Sequence, residues 1–414
     1  MESPQLIPHL FRTEYSRITA VLSRTFGFEN LQVAEDIASE TFLAAIESWP
    51  YKGIPENPAA WLYTVAKNKA KNHLKHHQIF TEKIRINLGY PSPLAEEEQE
   101  IDLSKKNITD SQLQILFAIC HPSIPVEAQI SLALRILCGF GIDEIADAFL
   151  SNKETVTKRI YRAREKLRNE KVAISFPTKE EIENRLQTVL RTIYLLFSEG
   201  YYSERKDTVI RKELCLEAMK LNILLLQNQQ TNTHSTNALM ALMCFHASRI
   251  EARQDKNGEL ILYDEQDESL WDQELIEKGN YYLQRATTWK ISSKYFIEAS
   301  IAYWHTIKED SREKWESILQ LYNYLLQIEY SPAAALNRTF AISKARSKKE
   351  ALTEAKKLQL DKSHFYFLLL AELYKGIDKT QVKPNLEKAF SLAKTSAEKN
   401  VIRGKIDALE TKNI

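Results

Sequence analysis

Glycine and proline are scarce, at 10 and 12 of 414 residues, and alternating strand-like runs rich in Val, Ile and Thr are nearly absent. Helix formers dominate what remains, so the expected fold class is all-α. Four cysteines, Cys120, Cys138, Cys215 and Cys244, are scattered without a C-x-x-C pair. That spacing suits buried small hydrophobes in a reducing cytosol. No apolar run approaches membrane-spanning length, and the start Met-Glu-Ser-Pro-Gln lacks the basic-then-apolar layout of a signal peptide. The expected location is therefore the cytoplasm, with no membrane partner.

A charge excess is missing as well. The formal net charge is +1, and residues 1–175 hold 21 Lys and Arg against 22 Asp and Glu. Any nucleic-acid signal has to be local, because neutralising phosphates takes clustered cations rather than a favourable average. Signatures of catalysis are likewise absent. The nine His and four Cys form no zinc-ligand spacing, and there is no P-loop, G-x-G-x-x-G or G-x-S-x-G. Cys120 and His121 are neighbours in sequence, which is not how a Cys–His dyad is normally built. The chain is expected to be no enzyme and to need no metal or cofactor. Asp255-Lys256-Asn257-Gly258 is too short for a calcium loop and reads as a tight turn.

What is present is a 44% hydrophobic, 27% charged chain long enough for two to four domains. Residues 10–77 read as helices at about 10–26, 31–47 and 59–77, with a Pro-rich joint from Pro50 to Pro58. Residues 78–108 contain Pro91, Pro93 and an acidic run of Glu96, Glu97, Glu98, Glu100 and Asp102, the composition of a solvated linker. Helical pattern resumes over 109–171. A further helical region, 178–414, has turn signals at Ser331-Pro332 and Lys383-Pro384.

Two segments concentrate cations. Residues 143–149 make a short helix, Leu150-Ser151 a tight turn, and Asn152 an N-cap for a second helix beginning at Lys153. In that helix Val156, Ile160, Ala163 and Leu167 form one apolar stripe. Over 153–171 there are eight Lys and Arg against three Glu, and Lys158, Arg159, Arg162, Arg164, Lys166 and Arg168 lie off the stripe. A short helix, a turn and a basic second helix form the layout that puts N-terminal side chains on major-groove base edges. A solvated charged face in a bundle is the plainer alternative. The second segment lies between Glu56 and Glu82, where no Asp or Glu occurs and Lys67, Lys69, Lys71 and Lys75 alternate with His73, His76 and His77. Such a surface can track phosphates while aromatic groups and pockets hold unstacked bases.

Three stretches carry a family resemblance. Ala34-Glu35-Asp36-Ile37-Ala38-Ser39-Glu40-Thr41-Phe42 resembles the polymerase-binding segment of sigma factors. The stretch Asn57-Pro58-Ala59-Ala60-Trp61-Leu62-Tyr63-Thr64-Val65-Ala66-Lys67-Asn68 looks like their −10 segment. Arg162-Ala163-Arg164-Glu165-Lys166-Leu167 closes a helix-turn-helix like their −35 reader. Their order, and the acidic linker between them, resembles the extracytoplasmic-function (ECF) type of RNA polymerase sigma factor.

The resemblance implies a region 2 domain over 10–77, a linker over 78–108 and a region 4 domain over 109–171. Its implied partners are core RNA polymerase, at the clamp and flap, and promoter DNA at the −10 and −35 elements. It assigns polymerase binding to Asp36, Glu40, Thr41 and Phe42. It assigns −10 contacts to Lys52, Asn57, Trp61, Lys67, Asn68, Lys69, Lys71, Asn72 and Lys75. The −35 contacts fall on Lys153, Thr155, Lys158, Arg159, Arg162 and Arg164. Trp61 has a second reading, as a core residue closing its helix on its neighbours. Ser39 stands where a Gln is common in the family, and Asn72 where an Asp often sits.

Residues 178–414 go beyond the ordinary members of this class. Ile193–Tyr201, Glu265–Asp272 and Ser331–Arg338 look like signatures of a group with a long, tetratricopeptide-like helical extension, thought to regulate activity and open to a protein regulator. Residues 366–374 and 386–390 have the look of one helix pair, and an irregular bundle is the alternative for the rest. A second reading of the whole chain is a free-standing helix-turn-helix regulator with a helical-repeat sensor domain.

Overall fold

A computed structural model describes residues 3–87, 101–149, 151–201, 211–253, 261, 263–287 and 293–411. The expected turn at 255–258 and most of the acidic run, Glu96 to Glu98 and Glu100, lie outside these residues, as does Leu150. The fold is all-α, with eighteen α-helices and no strand among the described residues. The chain divides into two compact units, Met1–Ile193 and Tyr194–Ile414.

The first unit opens with α1 (Ser3–Phe26), α2 (Leu31–Lys52) and α3 (Pro58–Asn87). Their shared core holds Tyr15, Ile18, Leu22, Ile37, Phe42, Trp49, Leu62 and Ala66. Small residues at Ala34, Ala38, Ala45 and Ala70 let the helices approach closely. Helix α2 runs through Pro50 in its last turn and stops at Gly53, whose φ of +81° is one that L side chains rarely adopt. Asn57 accepts a hydrogen bond from the Ala60 backbone N–H at 3.0 Å and so starts α3.

The expected linker is shorter than its composition suggests. Helix α3 continues ten residues past the expected end at 77, and Ile101, Leu103 and Ile108 pack into the core of the first three helices. Apolar residues at both edges of the acidic stretch override its polar average. The unit continues with α4 (Lys105–Ile119), α5 (Val126–Leu132), a π-helical turn (Ala133–Leu137), α6 (Ile142–Ala148) and α7 (Lys153–Asn169). Asn152 caps α7 by accepting from the Thr155 N–H at 2.7 Å.

Helix α8 (Lys179–Tyr201) runs through the boundary between the units, so packing divides the chain about fifteen residues later than the expected start at 178. Arg185 donates to the Phe117 carbonyl at 2.7 Å, and Thr192 donates to Gln129 Oε1 at 2.6 Å. Both acceptors belong to the first unit.

The second unit comprises α9 (Lys212–Gln227), α10 (His234–Ala247), α11 (Gln273–Ala286), α12 (Lys294–Trp304), α13 (Arg312–Ile328), α14 (Pro332–Ala345), α15 (Lys348–Leu358), α16 (His364–Tyr374), α17 (Val382–Leu392) and α18 (Ser396–Thr411). Successive helices from α12 onward pack each against the next. Side-chain caps at Ser293, Ser311, Ser331 and Ser347 set where α12 to α15 begin. Ser331-Pro332 is thus a cap followed by a first-turn proline, and Lys383-Pro384 lies in the first turn of α17 rather than in a turn between helices. Gly279 allows α11 to lie directly on Phe245 of α10, because a Cβ there would meet the ring at 2.5 Å.

Candidate functional site

The apolar positions of α2 decide which of its residues face outward. Ala34, Ile37, Ala38, Thr41, Phe42, Ala45 and Trp49 are all buried, leaving Asp36, Glu40, Leu43, Ile46 and Glu47 exposed on the other side. Thr41 and Phe42, assigned to polymerase contact by resemblance, are core residues here. Thr41 Oγ1 donates to the Ile37 carbonyl at 2.8 Å, and Phe42 packs edge-on against Phe11. Their side chains cannot reach a partner without unfolding the helix. Leu43 and Ile46 are each about half exposed; Leu43 was missed in sequence, and Ile46 was counted there with the apolar positions of its helix. Their i, i+3 spacing outside the buried stripe was the available signal.

Helix α3 sorts in the same way. Leu62, Ala66 and Ala70 face the core, while Asn68, Lys71, Asn72 and Lys75 are exposed with Thr64 along one stripe. Lys67 and Lys69 flank it half-buried, and Lys69 Nζ pairs with Glu40 at 2.8 Å. Trp61 is half-buried with its ring edge-on to Trp49, 5.5 Å between centroids. Lys52 and Asn57 are exposed in the joint before the helix. Tyr51, which opens the short joint of residues 51–55 read in sequence as able to form a base pocket, is 90% exposed beside Lys52.

On α7 the predicted stripe of Val156, Ile160, Ala163 and Leu167 is fully buried. Lys153, Thr155, Lys158 and Arg162 are exposed, with Lys153 paired to Asp143 at 3.0 Å and Lys158 to Glu154 at 2.6 Å. Such exposed pairs are weak and are readily exchanged for a phosphate. Arg159 leans over the Phe149 ring.

Arg164 departs from the expected role. Its Nη2 lies 2.5 Å from Glu35 Oε1 on α2, and Arg135 Nε lies 3.3 Å from the same oxygen. Glu35 is almost fully buried, so its charge is compensated by two guanidinium groups rather than by water. Arg164 therefore faces the first three helices rather than the outside. Its position on the helix, one residue past the apolar Ala163, turns it toward the packed side.

No group of His, Cys, Asp and Glu suited to a metal ion occurs among the described residues, and no described helix is long and apolar enough to cross a membrane. Burial raises the thiols of Cys120, Cys215 and Cys244 to about 12, which makes them inert hydrophobes rather than nucleophiles.

The Sigma-70 region 2 family matches residues 10–79, the span of the first three helices. A family of unknown function, DUF6596, matches residues 185–287. An uncharacterized protein of Rhizobium meliloti is 31% identical over 388 residues, covering 92% of this chain and 91% of its own length. The ECF RNA polymerase sigma-E factor of Haemophilus influenzae is 28% identical over 137 residues, covering 32% of this chain and 72% of its own length. No solved structure matches the chain. The chain belongs to the sigma-70 factors, within a group whose members carry a long C-terminal extension. It is thus a transcription-initiation protein whose family binds core RNA polymerase and promoter DNA, and that family is not one of enzymes.

Proposed function

We propose that this chain is an ECF-type sigma factor whose separate surfaces take separate partners. The outward face of α2, made of Asp36, Glu40, Leu43, Ile46 and Glu47, docks on the polymerase clamp. An apolar pair ringed by carboxylates is the composition of a small, specific protein contact. The exposed stripe of α3, with Asn68, Lys71, Asn72 and Lys75, follows the displaced strand at the −10 element, and Lys52 and Asn57 hold the joint before it. Helices α6 and α7 act as a helix-turn-helix on the −35 element through Lys153, Thr155, Lys158 and Arg162. The flap is the polymerase partner of this second domain.

The observation that carries this reading is the exposure pattern. On α3 and α7 the apolar stripes are buried, and Lys71, Lys75, Lys153, Lys158 and Arg162 are left outside, on a chain with almost no net charge. The second unit is read as a regulator of promoter-complex formation. Helix pairs beginning at Arg312, Lys348 and Val382 support a tetratricopeptide-like arrangement, since their starts lie close to 34 residues apart.

Run-off transcription with purified core enzyme tests the reading. Full-length chain should confer promoter-specific transcripts, and Leu43→Ser with Ile46→Ser should abolish capture of core enzyme without unfolding the protein. A wild-type chain that ignores core enzyme in the absence of DNA overturns it.

A further inference from the structure

In the second unit, the connections from α10 to α11 and from α12 to α13 bring cations and aromatic rings together. Arg249 follows α10, Tyr263 and Trp271 lie between α10 and α11, His305 and Lys308 follow α12, and Lys314 sits in the first turn of α13. Backbone ties hold these segments in place. The Asp272 N–H donates to the Ser248 carbonyl at 2.8 Å, and Lys308 Nζ donates to the Gln266 carbonyl at 2.8 Å.

Tyr263 is surrounded by positive charge. The Arg249 guanidinium lies 5.4 Å from its ring centre, Lys314 Nζ 5.6 Å and Lys308 Nζ 5.8 Å. Arg249 and Lys308 also lie within 5.9 Å of the Trp271 ring. Contacts of this type offset only part of the cost of gathering three cations.

The surrounding hydrogen bonds are incomplete. Arg249 is 7% exposed, pairs with no carboxylate among the described residues, and its Nε–H has no acceptor there. Trp271 Nε1–H, 5% exposed, also lacks an acceptor, and Gln266 Oε1, 7% exposed, lacks a donor. An arginine cannot shed its proton to relieve this, and a buried unpaired guanidinium is costly. The histidine beside it records the same field: burial, then Arg249 and Lys314, push His305 down to about 3. Native proteins rarely leave several such atoms unpartnered in one place unless an unseen occupant completes them.

We infer that this cluster is a binding site for the phosphate group of a small molecule, held by Arg249, Lys308 and the Trp271 N–H, while Lys314, whose Nζ donates to the Ile307 carbonyl and the Tyr263 hydroxyl, adds its charge. Three cations match a dianionic phosphate better than a single carboxylate, and Arg249 can present two parallel donors to it. Lys308 and Tyr263 are half-buried and form the rim through which it enters. The site lies partly within the DUF6596 match and does not depend on the chain acting in transcription. Neither regulation nor a phosphorylated effector is needed to test it.

The test uses full-length protein and no polymerase. Inorganic phosphate and glycerol phosphate are titrated calorimetrically at constant ionic strength, with acetate and chloride as monoanion controls, and melting is followed in parallel. The expected result is saturable one-to-one binding of a phosphate probe, with a Tm rise of about 5–10 °C at a hundredfold excess over Kd. Stronger binding of glycerol phosphate identifies a phosphomonoester as the ligand class, and equal binding identifies the free anion. Arg249→Gln should abolish binding. Lys308→Gln, at the rim, should weaken it at least tenfold, and its unliganded Tm is recorded alongside because Lys308 also donates to the Gln266 carbonyl. If Arg249→Gln does not fold, wild type and Lys308→Gln decide the matter. No heat and no Tm shift with either phosphate probe overturns the proposal, as does an equal shift with acetate or undiminished binding by Lys308→Gln.

Discussion

Arg164 Nη2 and Glu35 Oε1 stand 2.5 Å apart and join α7 to α2, two helices separated by more than a hundred residues. Arg135 Nε shares the same oxygen at 3.3 Å, and Gln32 Oε1 lies 3.5 Å from Arg164 Nη1. One buried carboxylate on the acidic helix thus ties down a cation of the basic one. Replacing Glu35 by Gln leaves two guanidinium groups facing each other with no countercharge. The first unit should lose about 3 kcal/mol, read by urea denaturation. The freed Arg164 should also steepen the salt dependence of promoter binding by about one unit. Wild-type stability and slope in Glu35→Gln would show that the pair holds nothing together.

Arg162 and Arg164 give opposite expectations despite being two residues apart. Arg162 is exposed, so Arg162→Ala should weaken DNA binding across sequences and flatten the salt slope by about one unit. Arg164→Ala should lower the stability of the first unit and leave the slope unchanged. Fluorescence anisotropy at several salt concentrations separates them.

Tyr51 projects into solvent at the end of α2, 90% exposed beside the cationic joint. An aromatic ring in that position offers a stacking platform for an unpaired base. Tyr51→Ala should cost about 1–3 kcal/mol in binding single-stranded −10 DNA and nothing in duplex −35 binding. Equal losses for both DNAs would remove the stacking role.

Cutting the chain after Lys171 removes α8 and with it the Arg185 and Thr192 bonds to Phe117 and Gln129. Gln129 Oε1 is buried and would lose its donor. A fragment ending at Tyr201 should melt cooperatively, and one ending at Lys171 should melt several degrees lower or without a clear transition. Identical circular-dichroism melts would place α8 outside the first unit's packing.

Glu298 on α12 titrates abnormally. Burial raises its carboxyl to about 7, opposed by nearby Lys294 and by the Tyr194 hydroxyl at 3.4 Å. The folded state therefore holds this proton more tightly than the unfolded chain, whose value is 4.5. Its contribution is fully present below pH 4.5 and is lost as pH rises through about 7. Glu298→Gln should raise Tm at pH 8 by a few degrees and change little at pH 4.5. A Tm gain of the same size at both pH values would mean that ionisation is not the cause.

Much of the local structure was legible in the residues. The stripe of Val156, Ile160, Ala163 and Leu167 is buried as its spacing required, and Asn152 caps α7 with the bond its side chain offers. Helix periodicity and capping act within a few residues, so a linear reading can find them. Motif resemblance was a blunter guide to individual side chains. It marked Thr41 and Phe42 for partner contact, whereas the helix places them in the core and turns Leu43 and Ile46 outward. The linker was overextended because an average composition hides single anchors such as Ile101 and Ile108.

Apolar spacing and scarce turn formers determine by themselves that this chain is helical, and the two motifs within residues 34–68 fall in the stretch that matches Sigma-70 region 2. Whether a given cation is available is decided only in three dimensions. Arg164 is engaged because α2 brings Glu35 to it, and the Nε–H of Arg249 is left without an acceptor where the α10–α11 and α12–α13 connections come together. Charge is a property of the residue, but its pairing and hydration depend on neighbours supplied from elsewhere in the chain.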